Sequence, residues 1–534
     1  MSPKDRGRNC DLCQLPQITG FADVELGRDI EVVPALTASQ TDTRDPNLGS
    51  LMPGASQSDV GVTVSWGITP DITANLALNP DFSQVEADAA QLDVNNQFAL
   101  QFPETRPFFL EGADFFSTPI NAVFTRTISD PDIGAKLTGR RGASTFGAFA
   151  AEDTLTNLLF PGALGSASHT LNETNDSFVG RYQFGFGESS AIGALVTNRS
   201  AAGYSNRVAG FDGRYRITGE HSLRFQYLNS ETEYPDSIAT DFDQPLGRFS
   251  GNALNVNYNY GTRNWSGFVN YRRFDPDFRA DSGFVSQVDF ENRSIGGARI
   301  WHGEGNNWWN MFRVGGNTGS THDISGQLLS RFWETFLALQ GPYQSFVQSG
   351  TGKSRQFWNG QLFDRDFFFV FGQIRPNGSL NFQMSIQKGD QIDFANSRLG
   401  KQLSINPQIT WNVNRHLLVR LRHTSRQLDT QEGEKIFDAT LDDLRLTWQF
   451  NVRNFLRLTV QRQDIERNLD AFTSPFFDAQ SVSMGRQLLY SYKLNPQTVV
   501  FAGYSDNLIE NDTLTTLTKT DRTFFLKFSY AWIP

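Results

Sequence analysis

The chain is expected to be all-β, folding as a large closed antiparallel transmembrane β-barrel, and three observations carry that expectation. The first is the alternation at the end of the chain, where Phe524, Leu526, Phe528, Tyr530 and Trp532 share one face and Lys527, Ser529 and Ala531 fall on the other. Successive side chains of a strand point to opposite faces, so an aromatic-rich apolar face backed by a polar one fits a strand between lipid and water. The second is composition: mean hydropathy is -0.40, yet 13% of the 534 residues are aromatic and 46 residues are Phe. No apolar run approaches the roughly 20 residues of a membrane-crossing helix. A barrel instead dilutes its apolar signal, because every second residue faces a polar interior. The third is that the alternation recurs along the chain.

Leu254, Val256, Tyr258 and Tyr260 are separated by Asn255, Asn257 and Asn259. Leu444, Leu446, Trp448 and Phe450 are separated by Arg445, Thr447 and Gln449, and Leu456, Leu458 and Val460 by Arg457 and Thr459. Arg or Asn at every second position would be costly inside a packed sandwich but lines a wet lumen without penalty. A soluble sheet with one solvated face accounts for any one of these strands but not for the set. A soluble enzyme of several domains is the competing expectation from length. Against it stand the lack of convincing long amphipathic helices and of a Pro/Ser-rich linker between compositionally distinct blocks.

Connection lengths set the topology. Short turns at 69–71, 218–220, 261–263, 412–414 and 495–497 alternate with long polar stretches near 41–58, 155–174, 232–249, 274–284, 466–483 and 508–520. Outer-membrane barrels have short periplasmic turns and longer outer loops. Keeping the two in phase calls for one more crossing after Asn79, placed at residues 91–102, which gives about 26 strands within a range of about 22 to 26. The weakest strand signal is at 342–350. Residues 29–534 are assigned to the barrel, 80–118 within it to a plug or constriction, and 1–28 to a periplasmic N-terminal segment.

The segment that breaks the alternation reads Asn79-Pro80-Asp81-Phe82-Ser83-Gln84-Val85-Glu86-Ala87-Asp88 and continues at Phe102-Pro103-Glu104-Thr105-Arg106-Pro107-Phe108-Phe109-Leu110-Glu111-Gly112. It resembles the signature of a bacterial outer-membrane barrel family of unknown function, whose members often carry an N-terminal module similar to carbohydrate-binding family nine. Trp66-Gly67-Ile68-Thr69-Pro70, Gly134-Ala135-Lys136-Leu137-Thr138-Gly139 and Lys527-Phe528-Ser529-Tyr530 match the same pattern, so the resemblance spans roughly residues 28–534. It implies a barrel in a Gram-negative envelope and no reaction. Members begin with a secretory signal, whereas this chain opens Met1-Ser2-Pro3-Lys4-Asp5-Arg6 without an apolar h-region, and the expectation is a fragment of a longer protein.

Cys10 and Cys13 are the two cysteines. In an oxidising periplasm a small disulfide loop is the expected state; a zinc site would need a second pair, and a redox motif a βαβ pattern.

Residues 80–118 gather Asp81, Glu86, Asp88, Asp93, Glu104, Glu111 and Asp114 against Arg106, interleaved with Phe98, Phe102, Phe108, Phe109, Phe115 and Phe116. The candidate plug or lumen residues are Asp81, Glu86, Asp88, Glu104, Arg106, Glu111 and Asp114. In one reading their carboxylates face the channel, favouring cations or sugar hydroxyls; in the other they cap turns and pair with arginines such as Arg126, Arg140 and Arg141. Calcium suits oxygen-rich loops, but the spacing matches no known loop pattern, and no metal or cofactor is assigned.

No catalytic residue is assigned. Glu104 and Glu111 satisfy the two-carboxylate requirement of a glycosidase only in the way any acidic loop does, and the six His show no spacing that marks a triad. The net charge of -10 argues against a nucleic-acid partner. Arg420, Arg422, Arg445 and Arg457 cluster late in the chain and are expected to point inward. The expected role is passage or handling of a solute or polymer across the bacterial outer membrane. The alternatives are a glycan-binding or glycan-hydrolysing surface protein anchored by the barrel, and an envelope assembly or export scaffold. Expected partners are outer-membrane lipids, a glycan or small solute, and other envelope proteins.

Overall fold

A computed structural model describes residues 30–533 except 47–48, 81–87, 188, 306, 473–476 and 496. The candidate residues Cys10, Cys13, Asp81 and Glu86, and the segment 1–28, lie outside the described residues. One 25-stranded antiparallel sheet dominates; apart from the two-residue strand Leu51–Met52, its members form a closed 24-stranded barrel. The barrel begins with Ile30–Arg44, Ser56–Thr69, Ile72–Leu78, Pro131–Arg141 and Ser144–Asp153 and continues from Asn175–Phe186 to Thr518–Ser529. Closure is made where the last strand returns to the first, Ala35 opposite Ser529 and Thr43 opposite Asp521. The other edge of Ile30–Arg44 pairs with Ser56–Thr69. Every barrel strand therefore has two partners, which is what a bilayer demands of backbone polar groups. Helices among the described residues are short, Pro107–Leu110 and Asp236–Asp241.

The facing of the strands follows from contacts with a segment inside the barrel. Arg445 and Gln461 both donate to the carbonyl of Asp88, so the odd-numbered members of Lys435–Gln449 and Asn454–Arg467 face inward. Trp448 on the opposite face is exposed, as are Phe524, Leu526, Phe528, Tyr530 and Trp532 on the outer wall. This apolar belt ends in ion-paired charges: Arg486 and Lys519 on Asp506 at 2.7 and 2.8 Å, and Arg522 on Asp42 at 2.7 Å. Charges at that level replace apolar side chains where a hydrocarbon layer would give way to headgroups.

Part of the Phe content has a structural cause inside the wall. Phe336, Phe367 and Phe369 lie opposite Gly315, Gly352 and Gly350 on neighbouring strands. A Cβ at Gly350 would come within 2.6 Å of the Phe369 ring. The missing side chain lets each ring lie against the adjacent backbone, covering a glycine that would otherwise leave the strand bare.

The longest connections, 79–130, 154–174, 234–247, 275–289 and 468–479, all fall at one end of the barrel, which also carries the tight turns at 202–203 and 359–360. The 24 barrel strands fall inside the expected range of about 22 to 26, and the crossing expected at residues 91–102 is not among them, since those residues form no strand. Their alternation serves a different surface: Leu92 and Val94 pack on inward side chains of Leu428, Phe437, Ala439 and Leu441, and a closed wall leaves no edge for a further strand. Residues 342–350 divide between a turn and the start of the strand Phe346–Trp358. Residues 154–174 contain a separate hairpin, Thr156–Pro161 with Ser166–Leu171.

Placing Arg at Leu446, in the middle of the outward apolar series Leu444, Leu446 and Trp448, is expected to destabilise the barrel by roughly 2 to 4 kcal/mol. Thr447→Arg, one residue away on the lumenal face, should be tolerated. Urea unfolding of the two variants in lipid checks the contrast, and equal losses would contradict the facing.

Candidate functional site: a segment folded into the lumen

The strand Ile72–Leu78 pairs with Pro131–Arg141, Leu78 opposite Ile133, so the chain between them leaves and returns at the same rim. From Asp88 to Ile128 its contacts are with inward-facing side chains on widely separated strands. The Asp88 carbonyl accepts from Arg445 at 3.1 Å and Gln461 at 2.7 Å, and the Val94 carbonyl from Arg426 at 2.8 Å. Asn95, in the left-handed region at φ 54°, bonds the Ile392 carbonyl at 2.8 Å and the Phe394 N–H at 3.0 Å. Asn tolerates that backbone conformation and offers both a donor and an acceptor for it. Gln97 accepts from Gln356 at 2.8 Å, and the Ile120 N–H donates to Gln226 at 2.6 Å.

The Phe residues provide the apolar part of this docking. Pro107 opens the turn Pro107–Leu110, where its fixed φ and missing N–H cost nothing. Gly112, at φ 67°, reverses the chain into the turn Ala113–Phe116. The two turns set Phe108, Phe109 and Phe116 into one buried cluster with Ala77, Phe149, Val179, Leu195, Val208 and Leu228 of the wall. Phe108 meets Phe109 edge-on at 5.1 Å, and Phe116 meets Phe149 in the same way at 5.1 Å. Each fully buried Phe contributes roughly 1.5–3 kcal/mol.

Polar groups lock the turns in place. Arg106 is buried and donates through Nε and Nη2 to Glu104 at 2.8 and 2.7 Å, and to the carbonyls of Ile128 and Thr125 at 2.6 and 2.7 Å. Its guanidinium also lies 4.5 Å from the centre of the Phe109 ring. Glu104 accepts in addition from the Thr125 hydroxyl at 2.7 Å and the N–H groups of Thr105 and Arg106, both at 2.9 Å. Burial opposes ionisation of Glu104, but these hydrogen bonds and the Arg106 charge outweigh it and hold its pKa at about 2.

The other described candidate acids are also engaged. Asp88 pairs with Arg126 at 2.6 Å, which ties the start of the segment to its end. Glu111 accepts from Asn75 at 3.2 Å, and its carbonyl, with that of Phe108, receives Lys136 of the wall. Asp114 meets Arg140 at 3.2 Å on an exposed surface, where such a pair adds little. Among the described residues no group of three or more His, Cys, Asp or Glu is gathered to hold a metal ion.

A second insertion escaped the sequence reading, which took residues 274–284 as an outer loop. This connection folds inward and bonds the segment: the Phe124 N–H donates to the Ser282 carbonyl and the Phe284 N–H to Asn121, both at 2.8 Å. Its Asp281 is buried, accepting from Tyr204 at 2.9 Å and Tyr234 at 3.0 Å, while Arg199 donates to its carbonyl at 3.2 Å. Burial pushes the Asp281 pKa up, against the two hydroxyls and the charges of Arg199 and Arg279. The run Asp275-Pro276-Asp277-Phe278-Arg279-Ala280-Asp281 shares the mixed acidic and aromatic character of 80–118, the one signal that set it apart.

Residues 49–142 match a family model described as a domain of unknown function (DUF5916). The match includes the motifs at 66–70, 79–88, 102–112 and 134–139 and covers less than half of the chain. No curated protein matches it. Among solved structures, a mutant of the ferric enterobactin receptor PfeA from Pseudomonas aeruginosa is similar at 9% identity, with 94% of this chain and 80% of that chain covered and a TM-score of 0.44. Pseudomonas aeruginosa OccK2 in complex with glucuronate is similar at 11% identity, covering 72% of this chain and 98% of that one, TM-score 0.32. Acinetobacter baumannii OccAB3 is similar at 11% identity, covering 63% and 93%, TM-score 0.32.

Because the folded-state pKa of Glu104 lies below its ordinary value of 4.5, its contribution to docking is fully present above about 4.5 and is lost as pH falls towards about 2. Hydrogen exchange over residues 100–128 should therefore accelerate across that window. Glu104→Gln should raise exchange at neutral pH and flatten the pH response. A response in that variant as steep as in the parent would assign the effect to another group.

Proposed function

We propose that the chain is an outer-membrane β-barrel for passage or handling of a solute, with residues 88–128 folded into the lumen as a constriction. The carrying observation is that the segment bonds inward-facing groups on opposite parts of the wall: Gln226 on one side, and Arg426, Arg445 and Gln461 on the other. A loop serving only to cover the rim has no reason to reach so many strands. Beyond it the wall carries Asn255, Asn257, Gln383, Asn406 and Gln408, polar groups that suit a hydrated path more than a packed core. An apolar outer belt and the family match at residues 49–142 support the membrane assignment. The acids of the segment are read as its internal fastening, with Glu104 and Arg106 at the centre and Asp88 with Arg126 at its base.

Deletion of residues 95–114 should raise single-channel conductance in planar bilayers, with the heat-modifiable gel mobility of a folded barrel retained. Arg126→Ala, which releases Asp88 without shortening the chain, should increase the frequency of larger openings. If both variants fold and both conduct like the parent, the constriction is wrong, and the barrel acts as an anchor.

A further inference from the structure

The lumenal wall from Arg398–Asn412 to Gln480–Lys493 carries a stripe of cations that the docking of the segment uses only in part. Arg420 and Arg422 alternate inward on Leu417–Thr430, on the face fixed as lumenal by the bond from Arg426 to the Val94 carbonyl. Arg445 stands directly opposite Arg420 on the next strand. Arg457 shares the inward face one strand further, opposite Thr447.

On the inward faces of these strands the described carboxylate is Asp443, opposite Arg422. It already accepts from Arg445 at 3.0 and 3.1 Å and from Gln461 at 3.2 Å. Arg420 and Arg422 are exposed and make no ion pair with a described residue. Two guanidinium groups are thus presented to the lumen, backed by a low-dielectric wall that concentrates their field.

Along the pairing row from Arg422 the inward residues are Gln408, Gln383 and Gln373. The last of these shares its strand and face with Phe369 and Phe371. Three strand spacings, about 14 Å, separate the arginines from that aromatic strand. A wall graded from Arg through Gln to Phe matches a solute with an anionic end and a hydrogen-bonding body.

We infer that Arg420 and Arg422 form a lumenal binding station for small organic anions, carboxylates above all, whose two oxygens fit the guanidinium fork. This deepens the reading of the lumen as a passage and rests on it.

The test places a thiol between Arg422 and Arg426 on the same face, Thr424→Cys, in a background with Cys10→Ser and Cys13→Ser. Modification by 2-sulfonatoethyl methanethiosulfonate should exceed that by the 2-trimethylammonioethyl reagent by roughly tenfold relative to a free thiol. Millimolar succinate should slow the anionic reagent. Arg420→Gln with Arg422→Gln should remove both effects. A rate ratio unchanged by the double variant, or no protection by succinate in the parent, overturns the station. Reversal potentials in a potassium chloride gradient test the underlying reading: a parent that does not conduct removes passage, while the thiol rates still decide whether the station exists. In a conducting parent the selectivity should favour anions and move towards cations in the double variant, and cation selectivity insensitive to the arginines would overturn the inference.

Discussion

The structure depends on one constraint, that a strand facing lipid has no water to satisfy its backbone. Pairing of Ile30–Arg44 with Thr518–Ser529 meets it for the whole sheet, because a barrel lacking that single ladder would expose two edges. Closure has a second effect: it encloses a space wide enough for chain as well as solvent. The buried apolar clusters of this protein accordingly lie inside the wall, between the barrel and what has folded into it. The outer face keeps its apolar residues for lipid, and the inner face mixes small, aromatic and charged residues according to what each meets.

Glu104 and Arg106 hold the inner assembly together. Arg106, at the start of the turn Pro107–Leu110, spends its donors on the Glu104 carboxylate and on two carbonyls of the later turn at Thr125–Thr127 and its cap Ile128. A buried guanidinium that lost those partners would face several kcal/mol of uncompensated desolvation. That cost makes the arrangement of residues 104–128 close to all-or-none: the turns dock together or the charge must return to water. The aromatic cluster adds affinity for the wall, and the charged hub sets the shape that docks.

Much of the fold was legible because period-two alternation in strands such as Lys435–Gln449 follows from the two solvents on either side of the wall, and connection lengths gave its up-and-down order. Alternation was misleading at 91–102, where Leu92 and Val94 repeat every second residue but face the inner wall; the pattern reports two environments without naming them. Residues 80–118 stood out as a break in the alternation, and the Glu104–Arg106 pairing, two residues apart, was accessible to local reading. The partners Arg426, Arg445, Gln461 and Gln226 were not, since contacts across a lumen join residues hundreds of positions apart with no local trace. The inward fold of 275–289 was hidden for the same reason: an outer loop and an inserted one have similar composition until the surface they meet is known.

The strands on either side of the inserted segment, Ile72–Leu78 and Pro131–Arg141, are bonded neighbours, so the segment forms a tongue rooted at one rim and is never threaded through the wall. Topologically it is unlinked from the barrel. The sheet can close first and receive the tongue afterwards, and the tongue can withdraw without breaking a single bond of the wall ladder. Assembly of the wall and rearrangement of the lumen are thereby separable, the first governed by the strand ladders and the second by side chains and a few backbone bonds between inserted connections.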